Sequence, residues 1–244
     1  MNALLVRVGA DLSQGGGSWN GPVDNATGDF AYIPIPETYP VHPGFAKPYS
    51  LVTPALARFG WTLPTHLAGQ NMHLDPDFAC LTYGDQGQRA IQISSPLKQD
   101  DLLVFYAALR AVTSEPRLIY AIIGLYVIER IEKASSIPQN RWPESAHTRR
   151  VLTSSADDIV VTARTRVSGR LQRCIPIGSF RTSDGELEKR PCYRVDATIL
   201  EKWGGLSISD GFLQRSARLP RFLEPTRFRQ WFTKQKTTLL QQNN

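Results

Sequence analysis

The sequence predicts an α+β protein: a mixed sheet of buried strands with helices at its periphery. Three observations lead there. Two apolar runs, Leu102-Leu103-Val104-Phe105-Tyr106 and Leu118 to Ile128, are separated by the polar link Thr113-Ser114-Glu115-Pro116-Arg117. Both runs are rich in β-branched and aromatic residues, which pack well on a pleated surface. Pro116 cannot donate a ladder hydrogen bond, so the break between two strands falls there. Residues 3–8 alternate into a further strand, and near the other end Phe228, Trp231 and Phe232 recur at the i, i+3, i+4 spacing of one helix face. The second apolar run spans only 11 residues, short of the roughly 20 a membrane span needs. A buried helix is its alternative, since periodicity does not separate the two for short runs.

The remaining elements follow in order. The first strand ends at Gly9-Ala10-Asp11, ahead of the glycine-rich stretch Ser13 to Pro22. Gly15, Gly16 and Gly17 let the backbone turn sharply or form a nest of N–H groups around an anion. No Gly-Lys-Ser/Thr follows, so this is not a P-loop. Residues 30–37 contain two prolines and suit an edge strand. Residues 38–70 mix prolines, glycines and aromatics without periodicity, which predicts a long irregular excursion with a short helix at Thr53–Phe59. Residues 133–150 form a polar connector carrying Trp142 and the basic pair Arg149-Arg150. Asp157-Asp158 opens a strand over Ile159–Thr162, Leu171–Ile177 is another, and Ser183-Asp184-Gly185 is a turn. Residues 192–203 read as a short helix or a strand. Thr226 caps the last helix, and Gln241–Asn244 fray.

Composition bounds the function. A chain of 244 residues can bury a sizeable core as one domain, residues 1–244. The run Met1–Val8 is broken by Arg7 and reads as a strand, not a secretory signal. Three widely spaced cysteines without Cys-x-x-Cys argue against a cysteine zinc site or a disulfide framework and fit a reducing cytoplasm. Charge is uneven. Residues 1–140 hold 9 Lys/Arg against 12 Asp/Glu, whereas residues 141–244 hold 19 against 10. The basic half suggests an anionic partner, most simply nucleic acid, with Arg215, Arg218, Arg221, Arg227 and Arg229 interleaved with aromatics as phosphate contacts. Salt-dependent binding would follow from such contacts.

The densest polar group is His73, Asp75, Asp77 and Asp85. His-x-Asp-x-Asp on an extended strand would direct its three side chains to one face, as an acid/base set or a divalent-metal site. Asp75-Pro76 equally favours a turn, and no metal is assigned. Arg7, Asp11 and Glu37 sit at strand ends, where a carboxylate either pairs with an arginine or accepts from the amine of a base. Trp19 and Tyr83 can stack on a base; Tyr106 belongs to the core.

Gln99-Asp100-Asp101 followed by Leu-Val-Phe-Tyr, a link, and Ile-Ile-Gly-Leu-Tyr-Val-Ile resembles the central hairpin of PUA-like barrels, including the EVE and YTH-type modules. That likeness implies a strongly bent sheet or partial barrel that reads a flipped-out or modified base. A broader set occurs in order: Arg7-Val8-Gly9-Ala10-Asp11, Gly21-Pro22, Tyr32 to Glu37, His73-Leu74-Asp75-Pro76-Asp77-Phe78, Thr82-Tyr83-Gly84-Asp85 and Asp101 to Tyr106. It is similar to the third of the nucleotide modification associated domain families. This resemblance implies a role near base modification in nucleic acid, DNA rather than RNA, alongside other proteins of a modification system and away from membranes. It names no reaction and no cofactor. The leading expectation is a module that binds a modified or flipped-out base through Arg7, Asp11, Gly16, Trp19, Glu37 and Tyr83. The alternatives are an enzyme centred on His73, Asp75, Asp77 and Asp85, and a protein-interaction subunit of a modification complex.

Overall fold

A computed structural model describes residues 1–10, 19–113, 118–182, 191–213 and 218–244. The two apolar runs are the long central strands, β6 at Leu102–Ala111 and β7 at Leu118–Lys133 (numbering in chain order). They pair antiparallel from Leu102↔Val127 to Arg110↔Leu118. The first strand, β1 at Ala3–Arg7, lies parallel to β6, and so does the short β2 at Pro22–Val23. On the other side of β7 lie β8 at Ile159–Ala163, which carries β5 at Thr82–Asp85, and β9 at Gly169–Thr182. Strand β9 in turn pairs with β10 at Pro191–Val195 and β11 at Leu239–Leu240. A separate ribbon joins β3 at Ile35–Pro36 to β4 at Met72–His73. The α+β class holds, with a mixed sheet interrupted by register shifts on β7; of the shapes expected it is the open sheet, not closed into a barrel. Among the described residues no helix is long and apolar enough to cross a membrane.

Because side chains alternate along a strand, β6 feeds two apolar layers. Leu103, Phe105, Ala107 and Leu109 pack with Phe78, Tyr83 and Tyr126 on one face. Leu102, Val104, Tyr106 and Ala108 pack with Trp203, Phe222, Phe228 and Phe232 on the other. Burial of both faces is why these strands are almost uninterrupted in apolar residues.

Of the helices, α1 at Thr53–Ala57 lies where the sequence places it, within the irregular excursion. Helix α2 at Gly87–Ser94 follows β5, and α3 at Ala146–Arg149 interrupts the polar connector. Residues 192–203 divide between the two readings, strand β10 and then helix α4 at Ala197–Trp203. Helix α5 at Pro225–Lys234 buries Phe228 and Phe232. Glu224 and not Thr226 is its N-cap, because Pro225 takes the first helical position, where its missing N–H costs nothing.

The last residues do not fray. The Asn244 carboxamide accepts from the Tyr32 N–H at 2.7 Å and donates to its carbonyl at 2.9 Å. Asn243 accepts from the Phe78 N–H and donates to Asp77 Oδ1. Two amides that satisfy buried backbone groups outweigh the entropy of a chain end. The Ser183-Asp184-Gly185 turn and the break at Pro116 lie outside the described residues.

Candidate active site

The β3–β4 ribbon brings Glu37 beside His73. Ile35 pairs with His73, and Glu37 N–H donates to the Asn71 carbonyl just before β4. His73 Nδ1 lies 2.7 Å from Glu37 Oε2. The chain then leaves the strand, so the alternation expected for His-x-Asp-x-Asp does not continue. Asp75 Oδ1 accepts from the Gly84 N–H of β5 at 2.8 Å, and its carbonyl accepts from the Tyr32 hydroxyl. Asp77 turns elsewhere, to a buried ion pair with Arg149 at 3.1 Å. Asp85 makes a third arrangement, accepting from the Tyr83 hydroxyl at 2.6 Å and Arg89 Nε at 2.8 Å. Of the four residues expected to act together, His73 and Asp75 are brought into one cluster.

Helix α3 supplies the missing partners. Ser145 caps it by accepting from the His147 N–H, and this orients His147. His147 Nδ1 is 2.5 Å from Asp158, which directly precedes β8. The other edge of the ring faces Asp75, with Nε2 to Oδ2 at 3.9 Å. The His73 and His147 rings meet edge to face, 5.0 Å between centroids. A Cβ on Gly84 would overlap the His147 ring, so glycine at this β5 position is what admits the imidazole. One ligand atom each from His73, Asp75 and His147 lies within 4.8 Å of the others, and all three residues are buried.

Arg150 joins the two histidine pairs. Its Nε donates to Glu37 at 3.0 Å, and its Nη1 lies 3.3 Å from Gln86 Oε1 and 3.7 Å from Asp158. Its guanidinium stacks on the ring of Tyr39, 4.4 Å from the centroid. A pocket of about 270 Å³ opens here, lined by Tyr39, Gln86, Arg150, Asp157 and Asp158 among others. His147 stands behind Asp158 of its wall, and His73 stands behind Glu37, which braces Arg150.

The charges are set by burial and partners. Burial pushes the Glu37 carboxyl up, but the His73 hydrogen bond, the Tyr39 N–H and the Arg150 guanidinium outweigh it and hold it at about 2. Burial also holds the His73 imidazole down to about 4, so the ring is neutral at neutral pH and donates from Nδ1 to an ionised Glu37. Asp158 is opposed by burial in the same way and is held low by His147 and Arg150. Asp75 is raised by burial. The wall therefore presents an ionised carboxylate and a guanidinium, each oriented by the groups behind it.

The described members of the base-reading set other than Glu37 do not assemble here. Trp19 packs on Trp61, 5.8 Å between centroids, and Tyr83 is in the core. Arg7 lies over Tyr120, whose ring belongs to the other face of the sheet. Asp11, Gly16 and Arg215 lie outside the described residues. Arg218, Arg221, Arg227 and Arg229 are exposed, with Arg227 beside Glu224 at 3.6 Å, and α5 covers the sheet face away from Tyr83. Among the described residues of that set, Glu37 alone belongs to the site, as a partner of His73 and Arg150.

Sequence reasoning missed Tyr39, His147, Arg150 and Asp158. The signal available was the Arg149-Arg150 pair in a connector also holding one of only 4 histidines. No curated protein and no solved structure matches the chain. The model of the family described as nucleotide modification associated domain 3 matches residues 2–207, a stretch that includes every residue of the site, and the chain belongs to that family.

Proposed function

We propose that the protein is an enzyme that acts on a nucleotide or nucleobase, with its chemistry at the Tyr39–Arg150–Asp158 pocket. The observation that carries this reading is the Asp158 carboxyl group on the pocket wall, aligned by His147 at 2.5 Å and faced by Arg150 at 3.7 Å. A carboxylate held by an imidazole is an acid/base group whose geometry is fixed before substrate arrives. Arg150, braced by Glu37, offers a guanidinium to a phosphate or carbonyl oxygen. Tyr39, about half exposed, offers a ring face for stacking. The volume of about 270 Å³ is small beside the roughly 300–1,000 Å³ of most ligand pockets, which suits a single base or mononucleotide. Membership of a family associated with nucleotide modification supports this substrate class.

The test incubates the protein with nucleotides and with single- and double-stranded DNA and RNA, and looks for product by mass spectrometry. Asp158→Asn is expected to lower turnover by about 10²–10⁴-fold, the range of a positioned acid/base group. Tyr39→Ala is expected to raise KM with little change in kcat. Tight binding of a modified base without any product, unaffected by Asp158→Asn, would refute the enzyme reading and favour a reader.

A further inference from the structure

We infer that His73, Asp75 and His147 form a binding site for one divalent first-row transition-metal cation, a site that rests on the same side-chain cluster as the proposed pocket but not on its turning over a substrate. Two independent features of the geometry point there. The first is convergence. Three donors of different sequence origin, a ribbon strand, a turn and a helix, place one ligand atom each within 4.8 Å of the others, all in buried residues. Metal–ligand distances of about 2.0–2.2 Å for histidine nitrogen and carboxylate oxygen require neighbouring donors some 3–3.5 Å apart. The His147 Nε2 to Asp75 Oδ2 separation of 3.9 Å closes to that range by a small side-chain rotation.

The second feature is the shell behind the donors. Both imidazoles have Nδ1 engaged by a carboxylate: His73 by Glu37 at 2.7 Å, and His147 by Asp158 at 2.5 Å. Histidine ligands of metals carry this carboxylate partner, which fixes the tautomer and leaves Nε2 to coordinate. One such pair is common in a protein without a metal. Two pairs whose rings meet at 5.0 Å beside a third carboxylate are hard to explain as packing. Asp75 adds to the case, since its Oδ1 takes the Gly84 N–H and its Oδ2 faces His147 with no donor at hydrogen-bond distance among the described residues.

The charge count agrees. Glu37, Asp75 and Asp158 face one guanidinium, Arg150, while Asp77 and Asp85 are matched by Arg149 and Arg89. Carboxylates therefore outnumber the cations that face them in this cluster. Two imidazoles and one carboxylate select Zn²⁺, Fe²⁺ or Co²⁺ over Mg²⁺ and Ca²⁺, which take oxygen ligands. Three protein ligands also leave a coordination position that water can fill.

The experiment titrates chelator-treated, full-length protein with Zn²⁺ by calorimetry, with Co²⁺ by visible absorbance, and with Mg²⁺ as the contrast. We expect one Zn²⁺ per chain, a Co²⁺ d–d band, no Mg²⁺ binding in the same range, and Tm higher by about 5–10 °C at 100-fold excess over Kd. Asp75→Asn and His147→Gln are expected to weaken Zn²⁺ by at least 100-fold. Glu37→Gln keeps every donor and should cost about 10–100-fold. His66→Gln and Cys80→Ser, exposed donors elsewhere, should change nothing. Absence of stoichiometric Zn²⁺ or Co²⁺ binding to the wild-type chain overturns the site, and needs no variant to fold. Binding that survives both Asp75→Asn and His147→Gln, or that is lost in Cys80→Ser, overturns it equally. A chain that binds no Zn²⁺ or Co²⁺ yet turns over a nucleotide would remove the metal and leave the pocket assignment standing.

Discussion

Gly84→Ala tests the site through a single methyl group. Gly84 has ordinary strand geometry, so alanine is excluded there by space and not by backbone strain. A Cβ at this position would lie 2.6 Å from His147 Cγ and 2.9 Å from the Ile159 carbonyl oxygen, closer than real Cβ contacts allow. The strand carbonyl is fixed by the β5–β8 ladder, in which Gly84 pairs with Val160. The ring must therefore move, and its hydrogen bond to Asp158 goes with it. Overpacking costs about 1–3 kcal/mol, and a hydrogen bond to a charged group contributes about 1.5–3 kcal/mol. The sum is about 2.5–6 kcal/mol, or roughly 5–24 °C in Tm for a chain of this size. Urea denaturation of Gly84→Ala, His147→Ala and the double variant measures it. Removing the ring relieves the clash, so the double variant should be less destabilised than the sum of the singles by about 2 kcal/mol, a coupling expected of groups in contact. A neutral Gly84→Ala, or strict additivity, would refute the close approach of α3 to β5 on which the site depends.

Three further outcomes follow from the same geometry. Arg149→Ala strands the buried Asp77 carboxylate and two carbonyl oxygens, those of Leu74 and Pro143, and should cost about 3–5 kcal/mol by chemical denaturation. Deleting Asn243 and Asn244 removes four hydrogen bonds, a loss of about 2–6 kcal/mol at 0.5–1.5 kcal/mol each, to be read as a fall in Tm. Burial raises the phenols of Tyr49, Tyr83 and Tyr126 above the ordinary tyrosine range. Their folded pKa values exceed the unfolded ones, so the stability they contribute is intact below about pH 10 and is lost as pH rises through the folded values. Absorbance at 295 nm should therefore show these three ionising only in a cooperative step that coincides with unfolding; smooth, independent titration near pH 10 would contradict their burial.

The sheet was legible because its signals are local and repeated. The β6 and β7 runs, the alternation of β1, the strand after Asp158 and the apolar stripe of α5 each follow from one window of sequence. The site was half legible for the converse reason. His73 and Asp75 stood out as a dense polar group, but the reading of three side chains on one face assumed that the strand continued, and it ends at His73. Their partners lie about 70 residues further on, in a segment whose polarity matches an exposed connector. Arg149 and Arg150 look like surface residues because arginine is seldom buried unless paired. The carboxylates that pair them, Asp77 and Glu37, are 72 and 113 residues away in sequence. Complementary charges brought together by topology leave no period for a sequence window to detect.

Strand β1 would be an open edge if residues beyond 207, where the family match stops, did not lie along it. Leu5 N–H donates to the Pro220 carbonyl and Phe222 N–H to the Ala3 carbonyl, so residues 220–222 occupy the free side of that strand. The same stretch brings Phe222 and Phe228 onto Trp203. The stretch that matches the family and the stretch that packs together are therefore different lengths. A chain stopped at 207 would offer unpaired backbone beside a bare aromatic face, the combination that invites strand-to-strand polymerisation. Residues 220–222, by covering that edge, thus guard against self-association.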